Sequence, residues 1–455
     1  MRSVNQKGHI MKIAVLNGSP KGDYSITLQT VKYIEKHNSQ HSFAYLNVGQ
    51  SIKAYEKDFS KAEAALKDAD LILFSYPVYT FIVPSQLHRF IELMKESGID
   101  MSGKYVSQIS TSKHFYDVTA HRFIEENAQD MGMKYVKGLS ADMDDLTLEK
   151  GRKEALAFFD YLMWCSENGI YEPIPEKRPD YVPVPASVPA APEGEKSGDV
   201  VIVADLAEND TQLASMIDRF RASCGYTTRL VNIREFPFRG GCLSCFGCAS
   251  NGKCVYIDGF DTYLRENIQT AQAIIIAFTI KDHSMGSRFK MYDDRQFCNG
   301  HRTVTMGKPF GYIVSGDYAA EKNLQMIIEG RAEVGGNFLA GIATDEKDTD
   351  RSIDALAARI VYAADHHYVQ PSNFLGVGGM KIFRDLIWLM QGMMRADHKF
   401  YKSHGQYDFP QKKRGTMLKM YLVGALMSNE KLMKKAGNKV KEGMIAPYKK
   451  VLEKY

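Results

Sequence analysis

The sequence predicts an α/β protein built from two doubly wound parallel-sheet domains in tandem, followed by a helical extension. Three observations carry that expectation. Short apolar runs of strand length alternate with helical patterns throughout the first half. The same order recurs in the second half. Between them, Tyr171 to Gly198 holds seven of the fifteen prolines, a composition that is extended, stiff and without a core. A chain of 455 residues also exceeds what one core accommodates. The expected divisions are therefore 1–170, the linker 171–198, 199–370 and the extension 371–455.

In the first half, "KIAVLNGSP" is a buried strand that runs into a Gly-Ser-Pro turn, with a helix from about Thr27. "HSFAYLNV" is a second strand. "DADLILFSYPVY" has the continuous apolar run of a central parallel strand and ends in a proline loop, followed by the helix "SQLHRFIELMKES". "GKYVSQISTS" and "KYVKGLSADM" are strands four and five, separated by the helix "HRFIEENAQDMG".

The second half repeats each step. "DVVIVADLAEND" is strand one with its loop, "TQLASMIDRFRAS" its helix, "TTRLVNI" strand two, "AQAIIIAFTIKD" strand three and "GKPFGYIVSGD" strand four. The offset between copies is 187 positions from Lys12 to Asp199, 202 from Ala69 to Ala271 and 204 from Gly103 to Gly307. The 15-residue jump falls where the second half carries "CLSCFGCASNGKC". This loop is an insertion after strand two, at the carboxyl edge where open α/β sheets place ligands.

The first loop, "NGSPKGDYSIT", combines backbone N–H groups, hydroxyls and a helix N-terminus, the ingredients of a phosphate site. It is neither G-x-G-x-x-G nor a Walker loop. Strand, G-S-P loop, hydroxyl-rich helix start and a third strand ending in "PVY" resemble the flavodoxin-like, NADPH-dependent FMN reductase group. The resemblance implies that Ser19, Lys21, Ser25, Ile26 and Thr27 hold the FMN phosphate, with Ile26 standing where the family usually has Asn. It places the isoalloxazine on Pro77, Val78, Tyr79 and Thr80, and closes its other side with Thr111, Ser112, Lys113 and His114. Tyr76 and Tyr79 are candidates either to stack on the ring or to pack. The matching loop of the second half, "ADLAENDTQ", has no glycine and carries Asp205, Glu208 and Asp210 where a dianion would sit. Like charges so placed oppose phosphate binding, so flavin is expected in the first domain.

Cys242, Cys245, Cys248 and Cys254 follow the spacing C-x2-C-x2-C-x5-C. Ferredoxin-type clusters use the C-x2-C-x2-C core, whereas structural zinc more often uses two separated C-x2-C pairs. The loop resembles the compact motif of iron–sulfur flavoproteins within the same reductase family, which implies a [4Fe–4S] cluster. Other members of that family carry a similar run, followed by acidic residues as at Asp258, and no cluster. A [4Fe–4S] cluster, an unmetallated thiol loop and zinc therefore all stand as readings. Cys165, Cys224 and Cys298 lie on helical patterns and are expected in the core.

From Pro371 onward, 17 Lys and Arg face 6 Asp and Glu, although the whole chain carries only +4. A Met-rich apolar stripe at Ile382, Leu386, Leu389, Met390 and Met393 has helical spacing and suits docking. The opening residues have no apolar signal core and no apolar run reaches 18 residues, so a cytoplasmic protein is expected. His283 is expected as a solvated loop residue, and "MYDDRQF" as a structural helix. The expected partners are NAD(P)H or ferredoxin rather than nucleic acid. The two domains are expected to pair as an internal pseudo-dimer, with a larger homo-oligomer as an extension of that arrangement. Alternatives are a cluster-free FMN or quinone reductase and a non-catalytic redox sensor or scaffold. No acid/base or nucleophile constellation appears, so no catalytic side chain is assigned.

Overall fold

A computed structural model describes residues 10–176, 178–190, 196–428, 431 and 439–454. The first lobe alternates β1 (Lys12–Asn17), α1 (Ile26–His37), β2 (Ser42–Leu46), α2 (Val48–Lys57), α3 (Ser60–Asp68), β3 (Leu71–Pro77), α4 (Ser85–Glu96), β4 (Tyr105–Ser112), α5 (Asp117–Asp130), β5 (Lys134–Tyr135), β6 (Leu139–Asp142) and α6 (Glu149–Asn168). All pairings are parallel, in the order β2-β1-β3-β4-β5, with β6 also on β4. The expected fifth strand is thus two short strands. Gly138 lies between them, so close to Gln108 that a Cβ there would meet its backbone oxygen at 2.3 Å.

The second lobe follows the same plan: β7 (Ser197–Ala204), α7 (Thr211–Ser223), β8 (Tyr226–Asn232), α8 (Gly247–Asn251), α9 (Phe260–Tyr263), β9 (Ala273–Thr279), α10 (Gly286–Arg295), β10 (Pro309–Ser315), α11 (Lys322–Gly335), β11 (Phe338–Thr344) and α12 (Thr349–Asp365). Its sheet is parallel, in the order β8-β7-β9-β10-β11. Both sheets therefore have the flavodoxin-like order 2-1-3-4-5. Central strands are buried on both faces, as their unbroken Val, Ile and Leu runs require. Details repeat as well. Lys104 reaches the carbonyls of Lys67 and Ala69, and Lys308 those of Gln269 and Ala271. The cysteine loop follows β8, at the carboxyl edge.

The lobes meet through α4 and α10. Neither helix has a side-chain cap of its own. Instead the Ser85 N–H donates to Asp294 at 2.8 Å and the Ser287 N–H donates to Glu92 at 2.8 Å. Ser85 and Ser287, like Glu92 and Asp294, stand 202 positions apart. The contact is therefore reciprocal. His283 corrects its sequence expectation: it is pinned between Asp130 of the first lobe (3.0 Å) and Glu321 (2.9 Å).

The linker has no helix or strand among its described residues before β7 opens at Ser197, yet it does not hang free. The Val184 N–H donates to the Asp345 carbonyl, and the Val184 carbonyl accepts from Gln212 of α7 and Thr349 of α12. It thus runs along the carboxyl edge of the second sheet. The expected extension at 371–455 is divided. Its first helix, α13 (Phe374–Leu389), packs against α11 in a unit ending at Phe400, with Phe383 stacked on Phe115 at 4.3 Å. Residues 401–455 form a second unit, in which α14 (Arg414–Met427) leaves Met417, Leu418, Met420 and Tyr421 exposed. No described helix is long and apolar enough to cross a membrane.

Candidate flavin and cysteine cavity

The first loop is held in shape by its own side chains. Asn17 donates to the Gly22 carbonyl (3.0 Å) and accepts from the Ser19 N–H (3.3 Å). Gly22 takes φ +54°, and a Cβ on Gly18 would meet Leu87 at 2.5 Å, so both positions need glycine. Ser25 caps α1 by accepting from the Leu28 N–H, and the Thr27 hydroxyl bonds that of Thr111 at 2.6 Å, joining two loops. Lys21 is half-buried, and its ammonium lies 5.1 Å from the centre of the Phe246 ring in the cysteine loop. Burial lowers its pKa, with Cys242 and Cys245 opposing.

The loop after β3 is strained. Thr80 and Phe81 take φ +39° and +76°, a region that β-branched and bulky residues avoid. It is held from within by reciprocal bonds between Tyr79 and Ile82. From the second lobe, buried Lys290 donates to the Tyr79 carbonyl (2.7 Å) and the Thr80 hydroxyl (3.1 Å). Asp282 and His283, 202 positions later than Thr80 and Phe81, have the same left-handed geometry.

Twelve of the thirteen residues expected at a flavin line a single cavity of about 400 Å³: Ser19, Lys21, Ser25, Ile26, Thr27, Pro77, Val78, Tyr79, Thr80, Thr111, Ser112 and Lys113. The size suits a ligand pocket. His114 is set apart and pairs with Asp117 at 2.9 Å. Burial opposes the charge of Lys113, but Asp142 (2.6 Å) and Asp144 (2.9 Å) outweigh it and raise its pKa. Tyr76 is core, bonded to Gln108, whereas Tyr79 reaches the cavity.

The opposite wall comes from the second lobe. Cys242, Cys245, Cys248 and Cys254 all line it as free thiols. The loop is anchored on the first lobe: Gln86 donates to the Cys242 carbonyl (3.3 Å) and Lys53 to that of Arg239 (2.6 Å). Burial raises the Cys242 and Cys248 pKa values, and neighbouring thiols add to the effect. No three of the four sulfurs lie within 4.8 Å of one another among the described residues. Two sulfurs sharing one zinc must lie within about 4.6 Å, so the thiols are not gathered around a single ion. Cys165, Cys224 and Cys298 are buried, as expected, and Cys298 also touches the cavity.

Sequence reasoning missed several wall residues. Arg295, in "MYDDRQF", is buried, paired with Asp258 (2.7 Å), and 4.2 Å from the centre of the Tyr256 ring. Arg302 donates to the Cys248 carbonyl (3.3 Å) and to Asp397 (3.1 Å). Ile382, Phe383, Leu386 and Met390 bring the Met-rich stripe onto the cavity. The stripe was legible as a docking face, but its destination was not. In the second lobe's own first loop, Asp205 pairs with Arg234 (2.6 Å) and Asp210 caps α7 (3.1 Å) while accepting from Thr279. These carboxylates are structural.

Residues 11–138 match the family model of NADPH-dependent FMN reductase. No curated protein matches the chain. Among solved structures it is similar to an NAD(P)H:quinone oxidoreductase from Methanothermobacter marburgensis, at 11% identity, 36% of this chain, 98% of that one and TM-score 0.28. It is also similar to general stress protein 14 from Treponema denticola in complex with FMN, at 15%, 33%, 99% and 0.28. A third is FerB, a flavoenzyme NAD(P)H:(acceptor) oxidoreductase from Paracoccus denitrificans, at 17%, 35%, 98% and 0.30.

Proposed function

We propose that a first lobe with the FMN reductase pattern makes this chain an FMN-dependent oxidoreductase fed by NAD(P)H, with the second lobe supplying a redox-active cysteine wall. The observation that carries the reading is that the twelve expected flavin residues and all four loop cysteines face one cavity. The residues fit FMN. An ammonium, three hydroxyls and the N-terminus of α1 converge where a dianionic phosphate would rest. Bound FMN would supply hydride and single-electron chemistry. Lys21 would pair with its phosphate, the Pro77–Thr80 loop would orient its ring, and the apolar side chains of α13 would exclude water.

The finer reading is that the four cysteines hold a [4Fe–4S] cluster. The donor set fits: four thiols on one loop line the cavity, and metal binding, which deprotonates them, would offset the burial that raises the Cys242 and Cys248 pKa values. The reciprocal α4–α10 contact supports reading the lobes as an internal pseudo-dimer, with flavin duties in one copy and thiol duties in the other. Flavin, iron and acid-labile sulfide assays on anaerobically purified full-length protein test the whole proposal. FMN with about four irons per chain is expected. Flavin without iron would overturn the cluster alone, and protein that binds no flavin would overturn the oxidoreductase reading.

A further inference from the structure

We propose that His88, Glu92 and Asp282 form a site for one divalent cation at the contact between the lobes, of a class for which manganese(II) is the probe. The three side chains are buried: His88 is 0% exposed, Glu92 4% and Asp282 7%. His88 Nε2 lies 3.7 Å from Asp282 Oδ2 and 4.0 Å from Glu92 Oε1, and the three ligand atoms all fall within 4.8 Å of one another. Two ligands on one ion with bonds of about 2.2 Å must lie within about 4.4 Å. The two His88 pairs satisfy that limit and the Glu92–Asp282 pair lies within 4.8 Å, so an ion needs the carboxylates to close by at most a few tenths of an ångström.

The polar atoms facing this point are unsatisfied. Neither ring nitrogen of His88 has a hydrogen-bond partner, and neither does Asp282 Oδ2. Buried polar groups are seldom left so. The nearby cations do not fill the gap, because they bind the outer oxygens. Lys95 is on Asp282 Oδ1 (3.1 Å), while Arg89 (2.8 Å) and Lys281 (3.2 Å) are on Glu92 Oε2. Glu92 Oε1 accepts only the Ser287 N–H on the inner side.

The reciprocal contact supplies a comparison inside the same molecule. His88, Glu92 and the Thr80 position correspond, 202 positions on, to Lys290, Asp294 and Asp282. On that side, the Lys290 ammonium is the cation. It bonds Asp294, the Thr80 hydroxyl and the Tyr79 carbonyl, leaving no donor idle. On the His88 side, the ammonium is replaced by an imidazole and the hydroxyl by a second carboxylate. The permanently charged ammonium is gone, and two carboxylates and an imidazole surround its place. One imidazole with two carboxylates suits a first-row divalent ion, and the oxygen-rich set suits manganese. The neighbouring group Glu126, His283 and Glu321 differs, because His283 is already bonded through both nitrogens.

The test uses full-length protein stripped with chelator and titrated with manganese chloride, following the spectrum of free Mn2+ by electron paramagnetic resonance. Thiolates bind this hard ion poorly, so the cysteine loop does not compete. One Mn2+ per chain and a raised thermal midpoint are expected for the wild type. His88→Gln and Asp282→Asn should each weaken uptake at least tenfold and remove the thermal response, while Glu321→Gln should leave both intact. Asp282→Asn preserves side-chain size and decides the matter if His88→Gln does not fold. No uptake by wild type at millimolar Mn2+, or equal uptake by wild type and Asp282→Asn, would overturn the proposal.

Discussion

Raising the pH should loosen the contact between the lobes through His283. Burial alone would lower the pKa of this imidazole, but its bonds to Asp130 and Glu321 prevail and raise it to about 10. A histidine with a raised folded pKa stabilises the fold fully below about pH 6.5, and that stabilisation fades as the pH climbs toward 10. Moving from 6.5 to 10 corresponds to about 5 kcal/mol. Asp130 is 46% exposed, so screening trims its share and leaves about 2–4 kcal/mol. The other charges facing this group are those of Glu126, Lys95 and Arg178. Burial raises Glu126 to about 7, so its neutral form is favoured in the fold and stability falls from about pH 4.5 to 7. Lys95 shares Asp130 Oδ2 with His283 (2.8 Å), a further reason for the reduced figure, and Arg178 binds the other oxygen of Glu321 (3.7 Å). Thermal unfolding of wild type and His283→Gln at pH 6, 8 and 9.5 measures the effect. The gap should be about 2–4 kcal/mol at pH 6, about half that at pH 8, and nearly closed at pH 9.5. A gap that stays constant over this range would refute the ion-pair argument.

Lys21→Met should weaken FMN binding about 10–100-fold, the loss of one charge-assisted hydrogen bond. Riboflavin, which lacks the phosphate, should bind both proteins alike in fluorescence titrations, and a parallel loss for riboflavin would remove Lys21 from the phosphate. Cys245→Ser should lose iron and sulfide while retaining FMN; unchanged iron content would exclude Cys245 as a ligand. Lys290→Met or Asp294→Asn alone should each cost about 3–5 kcal/mol, because each strands a buried partner. The double variant should cost clearly less than the sum of the two, and simple additivity in urea unfolding would show that they are not coupled.

Strand order and loop positions were legible because buried parallel strands write themselves as unbroken apolar runs, and the two halves could be aligned by offset. The tight turn of the first loop was legible from its glycines, and twelve of the thirteen residues expected at a flavin gather at one cavity. What the sequence concealed depends on contacts between segments far apart in the chain. His283 reads as a loop residue because both of its partners, Asp130 and Glu321, lie in other elements. Arg295 reads as one charge in a polar helix, because Asp258 and Tyr256 reach it from the inserted loop. His114 failed to join the cavity because Asp117, three residues on, holds its ring. The extension read as one basic segment because composition does not mark the point, after Phe400, where packing changes.

The reciprocal capping of α4 and α10 has a consequence for synthesis on the ribosome. Asp294, which completes the amide end of α4, is encoded 209 residues after Ser85. At about 5–20 residues per second, the first lobe waits on the order of 10–40 s before that carboxylate exists. During the interval α4 presents an unfinished N-terminus, and His88 and Glu92 face water rather than the second lobe. The nascent first lobe must therefore tolerate exposing a surface that the finished molecule buries, an interval in which it is open to chaperones, proteases or the matching face of another nascent chain.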